Sequence, residues 1–314
     1  MTMLRSRRLG TTGLTVTPLC VGTAELGDMV GVYGYGVPAD RAIATVRRAL
    51  QGPITFLDTS NGYGNGTSER RVGAALREAG GLPDGYVLAT KVDPDETGDF
   101  SGARVRASFR ESVERLGIKR LQLLYLHDPE RMPFEDGATP GGPVDVMRQL
   151  VTEGLVDHLG VAGGPVDLLR RYLDTGAFEV VITHNRWTLL DRSAGPLLDY
   201  CASAGIAVVN GAPFGGGILA KGPRADPRYA YRPAAPAVLD RATQIEATCR
   251  RHQVPIAAAA LQFSLREPRI ASTIVGMSRP ERIDQTLELA TFPTPDALWE
   301  ELAGLAAPEE TWLR

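Results

Sequence analysis

Eight short runs rich in Val, Ile and Leu alternate with longer stretches of helical periodicity along this chain. That rhythm leaves few options, because repeated βα units build a parallel sheet. The apolar runs lie at Pro18–Gly22, Thr55–Asp58, Val87–Lys91, Leu121–Leu126, His158–Val161, Val180–Thr183, Ala207–Asn210 and Ala271–Val275. Helices are expected between them at Arg41–Leu50, Ser68–Glu78, Ala103–Leu116, Pro143–Thr152, Val166–Leu173, Pro196–Ser203, Ala237–Arg251 and Pro280–Leu289. Ser68 reads as an N-cap, with Val72, Ala75 and Leu76 on one helix face. Eight such units either close into a barrel or lie open as a doubly wound sheet. An open nucleotide-binding sheet would carry G-x-G-x-x-G after its first strand, and Gly34-Tyr35-Gly36 is only a fragment of that motif. The expected fold is therefore an α/β, (β/α)8 TIM barrel, as one domain over residues 1–314.

Composition agrees with one large core. At 314 residues the chain has room for two ordinary domains, yet α/β barrels reach this size as one. Apolar residues make up 43% and charged residues 23%, a globular balance. A formal net charge of -3 gives no electrostatic reason to expect nucleic acid or a membrane surface as partner. No stretch approaches the roughly 18 consecutive apolar residues of a membrane span. Arg5, Arg7 and Arg8 precede no apolar segment of the secretory kind, so a cytoplasmic protein is expected. Cys20, Cys201 and Cys249 lack metal-ligand spacing and read as buried free thiols. Val30–Pro38 and Lys221–Pro236 break the rhythm and read as loops on one rim, the first of them mobile. A short helix outside the barrel is expected within Pro295–Leu305.

Ionisable groups stand where the apolar runs stop. Asp58 ends the second run, Tyr63 follows in its loop, Lys91 ends the third, and His127 follows the fourth. Singly, these residues read as a turn cap, a loop aromatic, a solvated rim lysine and a satisfied core histidine. Together they mark an active site at one rim of a parallel barrel. His158, His184 and His252 read as structural.

Asp58, Tyr63, Lys91 and His127, in this order, resemble the tetrad of the aldo-keto reductases. The resemblance covers nearly the whole chain. It implies that Arg7-Arg8-Leu9 and Leu14-Thr15-Val16, flanking Gly10-Thr11-Thr12-Gly13, form a β-hairpin that closes the barrel bottom. It also implies hydride transfer with nicotinamide, coupled to proton transfer on oxygen. A phenol with a pKa of about 10 is a poor base at neutral pH. An adjacent ammonium stabilises phenolate, and a carboxylate keeps that ammonium charged and oriented. Tyr63 is thus assigned proton transfer, Lys91 and Asp58 its support, and His127 the orientation of the substrate oxygen.

The same resemblance places an NAD or NADP cofactor. Gly22 and Thr23 match the family's Gly-Thr pocket floor, and the last turn, with Gly276, Ser278, Arg279 and Arg282, matches the adenosine end. Amide groups at a helix start and two guanidiniums suit a phosphate. Arg279 or Arg282 would pair with a 2′-phosphate, whereas Asp284 suits the ribose diol of NAD. Four positions depart from the common pattern: Ala162-Gly163 stand for Ser-Asn, His184 stands for Gln, and Gly211 stands for the ring-stacking Tyr. These departures are similar to a sugar-oxidising bacterial subgroup, the L-fucose or D-threo-aldose 1-dehydrogenases, with pyridoxal 4-dehydrogenase as a relative. Asn185-Arg186-Trp187-Thr188-Leu189-Leu190-Asp191, Pro213-Phe214 and His127-Asp128-Pro129 carry that likeness. It adds Asn185, Pro213 and Phe214 to the cofactor residues, and Tyr33, Tyr35, Asp128 and Trp187 to a substrate rim; no metal is expected.

The activity implied is oxidation of the C1 hydroxyl of an aldopyranose to a lactone. Reduction of an aldehyde or ketone, or oxidation of a pyridoxal-like alcohol, stays open beside it. So does a nucleotide-binding, redox-sensing regulator.

Overall fold

A computed structural model describes residues 5–313. Eight parallel strands close into a barrel. They are β1 (Leu19–Gly22), β2 (Phe56–Asp58), β3 (Val87–Val92), β4 (Leu121–His127), β5 (Val156–Gly163), β6 (Val180–His184), β7 (Ala207–Gly211) and β8 (Ile270–Gly276). Each strand pairs with its successor, and β8 closes the ring by pairing with both β7 and β1. Every strand overlaps a run read from the sequence, with no end shifted by more than two residues.

The helices of eight or more residues are α1 (Ala39–Leu50), α2 (Thr67–Glu78), α3 (Gly102–Leu116), α4 (Pro143–Thr152), α5 (Val166–Leu173), α6 (Gly195–Ala204), α7 (Pro236–Arg251), α8 (Ile256–Leu265), α9 (Glu281–Thr291) and α10 (Asp296–Ala303). The helix α8 falls outside the sequence expectation. Its Ala258–Leu261 stretch, Gln262 and Ser264 are all buried, so it shows no apolar stripe of period 3.6. Three further expectations are corrected. Val30–Tyr33, inside a segment read as a loop, forms one short helical turn. Gly66, at φ 79°, is the N-cap of α2; Ser68 lies inside the helix, where its hydroxyl donates to the Thr23 carbonyl at 2.8 Å. The Lys221–Pro236 segment is more than a loop, because Arg228–Tyr229 and Arg232–Pro233 pair as a small antiparallel hairpin.

Strand side chains alternate between two cores. Leu57, Leu88, Leu124, Val181 and Val208 face the helices. Phe56, Val87, Ala89, Leu123, Tyr125, Val180, Ile182 and Val209 fill the barrel interior. Tyr125 needs its neighbour small: a Cβ on Gly160 would lie 2.4 Å from its ring. The N-terminal strands Arg7–Arg8 and Thr15–Val16 pair antiparallel, and Leu9 and Val16 join the interior cluster as a plug. Cys20, Cys201 and Cys249 are buried free thiols. Among the described residues, no helix is long and apolar enough to cross a membrane.

Candidate active site

The interior faces of the strands change character at one end. Two residues beyond Phe56 comes Asp58; two beyond Ala89 comes Lys91; two beyond Tyr125 comes His127; two beyond Ile182 comes His184. A period of two keeps each polar side chain on the barrel axis, above the apolar layers. Backbone pairing stops there, so these groups open into a cavity of about 600 Å³ at the C-terminal rim.

At its floor the Lys91 ammonium uses all three of its donors. It donates to Asp58 Oδ1 at 2.6 Å, to the Thr59 carbonyl at 2.7 Å and to Tyr63 Oη at 3.1 Å. Side chains of Lys91 and Asp58 are each 3% exposed, a buried ion pair. The Tyr63 and His127 rings meet edge to face with centroids 5.6 Å apart. His127 Nδ1 lies 2.7 Å from Asp93 Oδ1. Asp58, Tyr63, Lys91 and His127 therefore converge on one cavity, which all four line.

Burial is the largest influence on these groups. It holds the Tyr63 phenol well above its ordinary range, with Asp58, Asp128 and Asp93 adding to the rise. Burial also raises Asp58, against the opposing pull of Lys91. His127 is raised because Asp93 and Asp128 outweigh the burial that would lower it. Asp93 falls to about 2: burial opposes the shift, and His127, Ser60 and the Gly62 amide prevail. Burial pushes His184 down to about 4, against the raising influence of Asp128.

The cavity runs from this floor toward the start of α9. Gly22, Thr23, Asn185, Pro213, Phe214, Gly276, Ser278, Arg279 and Arg282 line it, as do Tyr33, Tyr35 and Asp128. Trp187 does not. Asn185 adopts a left-handed φ of 59°, and the chain then carries Trp187 outward to stack on Phe263 of α8 at 5.6 Å. Asp284 is also elsewhere, held by Arg48.

The structural reading of His184 is corrected, since it lines the cavity, and Tyr231, Glu25 and Asp93 lay outside the sequence reading. His184 ends β6 as His127 ends β4, a signal the strand-end rule contains. Tyr231 projects from the small hairpin and meets Tyr33 edge to face at 5.9 Å, closing one side of the cavity. Glu25 lines the wall near Gly276, and Asp93 backs His127. His158 and His252 pair with Glu179 and Glu301 away from the cavity.

The residues present fit a nicotinamide dinucleotide. Asn185 Oδ1 is buried without a partner and belongs to a cavity-lining side chain, which suits a carboxamide N–H. Tyr229 fixes that residue from behind, donating to the Asn185 carbonyl at 2.6 Å. At the far end Ser278, Arg279 and Arg282 gather beside the first turn of α9, where an anion is favoured.

Comparison with known proteins agrees with this geometry. The model of the Aldo/keto reductase family matches residues 18–307. The D-threo-aldose 1-dehydrogenase of a Pseudomonas species is 33% identical, over 93% of this chain and 94% of its own. The L-galactose dehydrogenase of Arabidopsis thaliana is 32% identical, over 99% and 93%. Pyridoxal 4-dehydrogenase of Microbacterium luteolum is 30% identical, over 94% and 96%.

Proposed function

Because the chain belongs to the aldo/keto reductase family and is an NAD(P)-dependent oxidoreductase, we propose that it oxidises the C1 hydroxyl of an aldopyranose to a lactone. The observation that carries this reading is the wall around Asp128. Its carboxylate lies 3.8 Å from His127 Nε2 and 4.0 Å from His184 Nε2. Both separations are too long for direct hydrogen bonds, so all three groups keep edges free for other partners. A sugar brings several hydroxyls to such a wall, and a simple aldehyde brings none. The aldose dehydrogenases among the relatives support the same class.

Asn185, Phe214, Gly22 and Thr23 would hold the nicotinamide end, and Ser278, Arg279 and Arg282 the adenosine end, whether of NAD or NADP. The dinucleotide supplies the hydride acceptor. As the phenolate, which Lys91 stabilises, Tyr63 Oη takes the proton of the C1 hydroxyl, and Asp58 keeps Lys91 charged and in place. His127 Nε2 orients the reacting oxygen. Burial keeps the resting phenol protonated. That state is the proton donor of carbonyl reduction, so reduction of an aldehyde or ketone is the second reading.

The test is absorbance at 340 nm with NAD or NADP and a panel of aldoses, alcohols and aldehydes. Aldose oxidation is expected, and Asp128→Asn should raise KM for aldoses at least about tenfold while sparing simple alcohols, as loss of a charged hydrogen bond does. Reduction of simple aldehydes with no aldose turnover would favour the second reading. Cofactor binding without any turnover would point to a redox-sensing regulator. Arg279→Ala and Arg282→Ala should alter discrimination between NADP and NAD if they grip a 2′-phosphate.

A further inference from the structure

His127 is held by a cradle behind the cavity. Its Nδ1 is 2.7 Å from Asp93 Oδ1 and 3.0 Å from Ser60 Oγ. Asp93 Oδ2 accepts from the Gly62 amide at 2.7 Å and from the Ser60 hydroxyl. A Cβ on Gly62 would lie 2.8 Å from the Asp93 carboxylate, so the cradle closes only around glycine. Asp93 also borders a second, polar cavity of about 370 Å³, lined in part by Arg104 and Arg115. Arg104 donates to the Asp93 carbonyl at 3.2 Å. Positive charge and this polar side favour an ionised carboxylate.

A carboxylate only accepts, so the His127 proton resides on Nδ1. Nε2 then faces the substrate cavity, with a lone pair in the neutral ring and an N–H in the cation. We propose that Asp93 is a positioning residue that locks His127 in its Nδ1–H form, so that Nε2 donates to a carbonyl oxygen only when the ring is protonated there. The neutral ring has no Nε2 proton to donate, and the single proton of an alcohol hydroxyl goes to Tyr63. The cation donates from Nε2 to a carbonyl oxygen. This rests on the reading that His127 faces the reacting oxygen.

The charged and titratable groups around the ring are Asp93 behind it, Asp128 on its own loop, Lys91 on β3, Tyr63 after β2 and His184 on β6. Asp93 and Asp128 favour the cation, while Lys91 and burial oppose it, and the carboxylates prevail.

Nitrogen-15 NMR of the full-length, cofactor-free protein reads both features directly. The neutral His127 ring of the wild type should show the Nδ1–H tautomer. Asp93→Asn keeps an acceptor and removes the charge, so the His127 midpoint should fall by at least about one pH unit. Ser60→Ala should move it the same way by less. The alkaline limit of carbonyl reduction should follow the midpoint, which loss of packing alone would not cause. A wild-type ring in the Nε2–H form overturns the proposal without any variant having to fold. So does an unchanged midpoint in both variants. A shifted midpoint with no aldose turnover supports the lock and removes the sugar reading instead.

Discussion

The two ends of the barrel interior are built from the same strands and are almost equally buried, yet they obey different rules. Toward the bottom, Leu9, Val16, Phe56, Val87 and Leu123 fill space with apolar atoms that ask only for volume. At the top, Asp58 and Lys91 are 2% exposed, no more than Val87 at 3% beneath them. They persist because each ammonium donor has an acceptor. Depth alone does not separate core from site here; the difference is whether the buried atoms need directional partners.

Substitutions can break that contrast. The largest effect is expected from Tyr63→Phe, which keeps shape and removes the proton. Turnover should fall about 10²–10⁴-fold while thermal stability and cofactor binding stay near wild type. Near-normal turnover would take the proton-transfer role from Tyr63. Next, Lys91→Met leaves the Asp58 carboxylate buried without its cation, and should destabilise the fold by about 3–5 kcal/mol in denaturant titrations. Leu9→Ala at the bottom should cost about 2–5 kcal/mol through lost contact and a cavity, with kcat and KM of the folded fraction unchanged. Equal damage to activity from Leu9→Ala would erase the distinction between the ends.

The smallest effect is a pH dependence. Asp93 has a folded pKa of about 2, below its unfolded value of about 3.9. A depressed carboxyl contributes stability above the unfolded pKa and loses it as pH falls through the folded one. Stability should therefore decline between about pH 4 and pH 2, and Asp93→Asn should flatten that decline. An identical acid profile in the variant would mean Asp93 is not a stabilising anion.

Much of this molecule is legible along the chain. Alternation of apolar runs and helical stretches marks all eight strands, since both parallel-sheet faces must be buried. Helix α8 escapes the pattern because a helix buried all round carries no stripe. Asp58, Lys91 and His127 stand out because polar residues at the ends of apolar runs violate the core pattern.

Spacing in sequence determined the strand order, the barrel and which side chains stand at its rim, because a period of two and closure by βα units leave little freedom. Only the tertiary structure decided the partners. Left-handed Asn185 turned Trp187 outward, the hairpin brought Tyr231 in, and Asp93 came to lie against His127 across two strands. Those outcomes depend on backbone dihedrals and contacts between residues distant in the chain, which no local periodicity encodes.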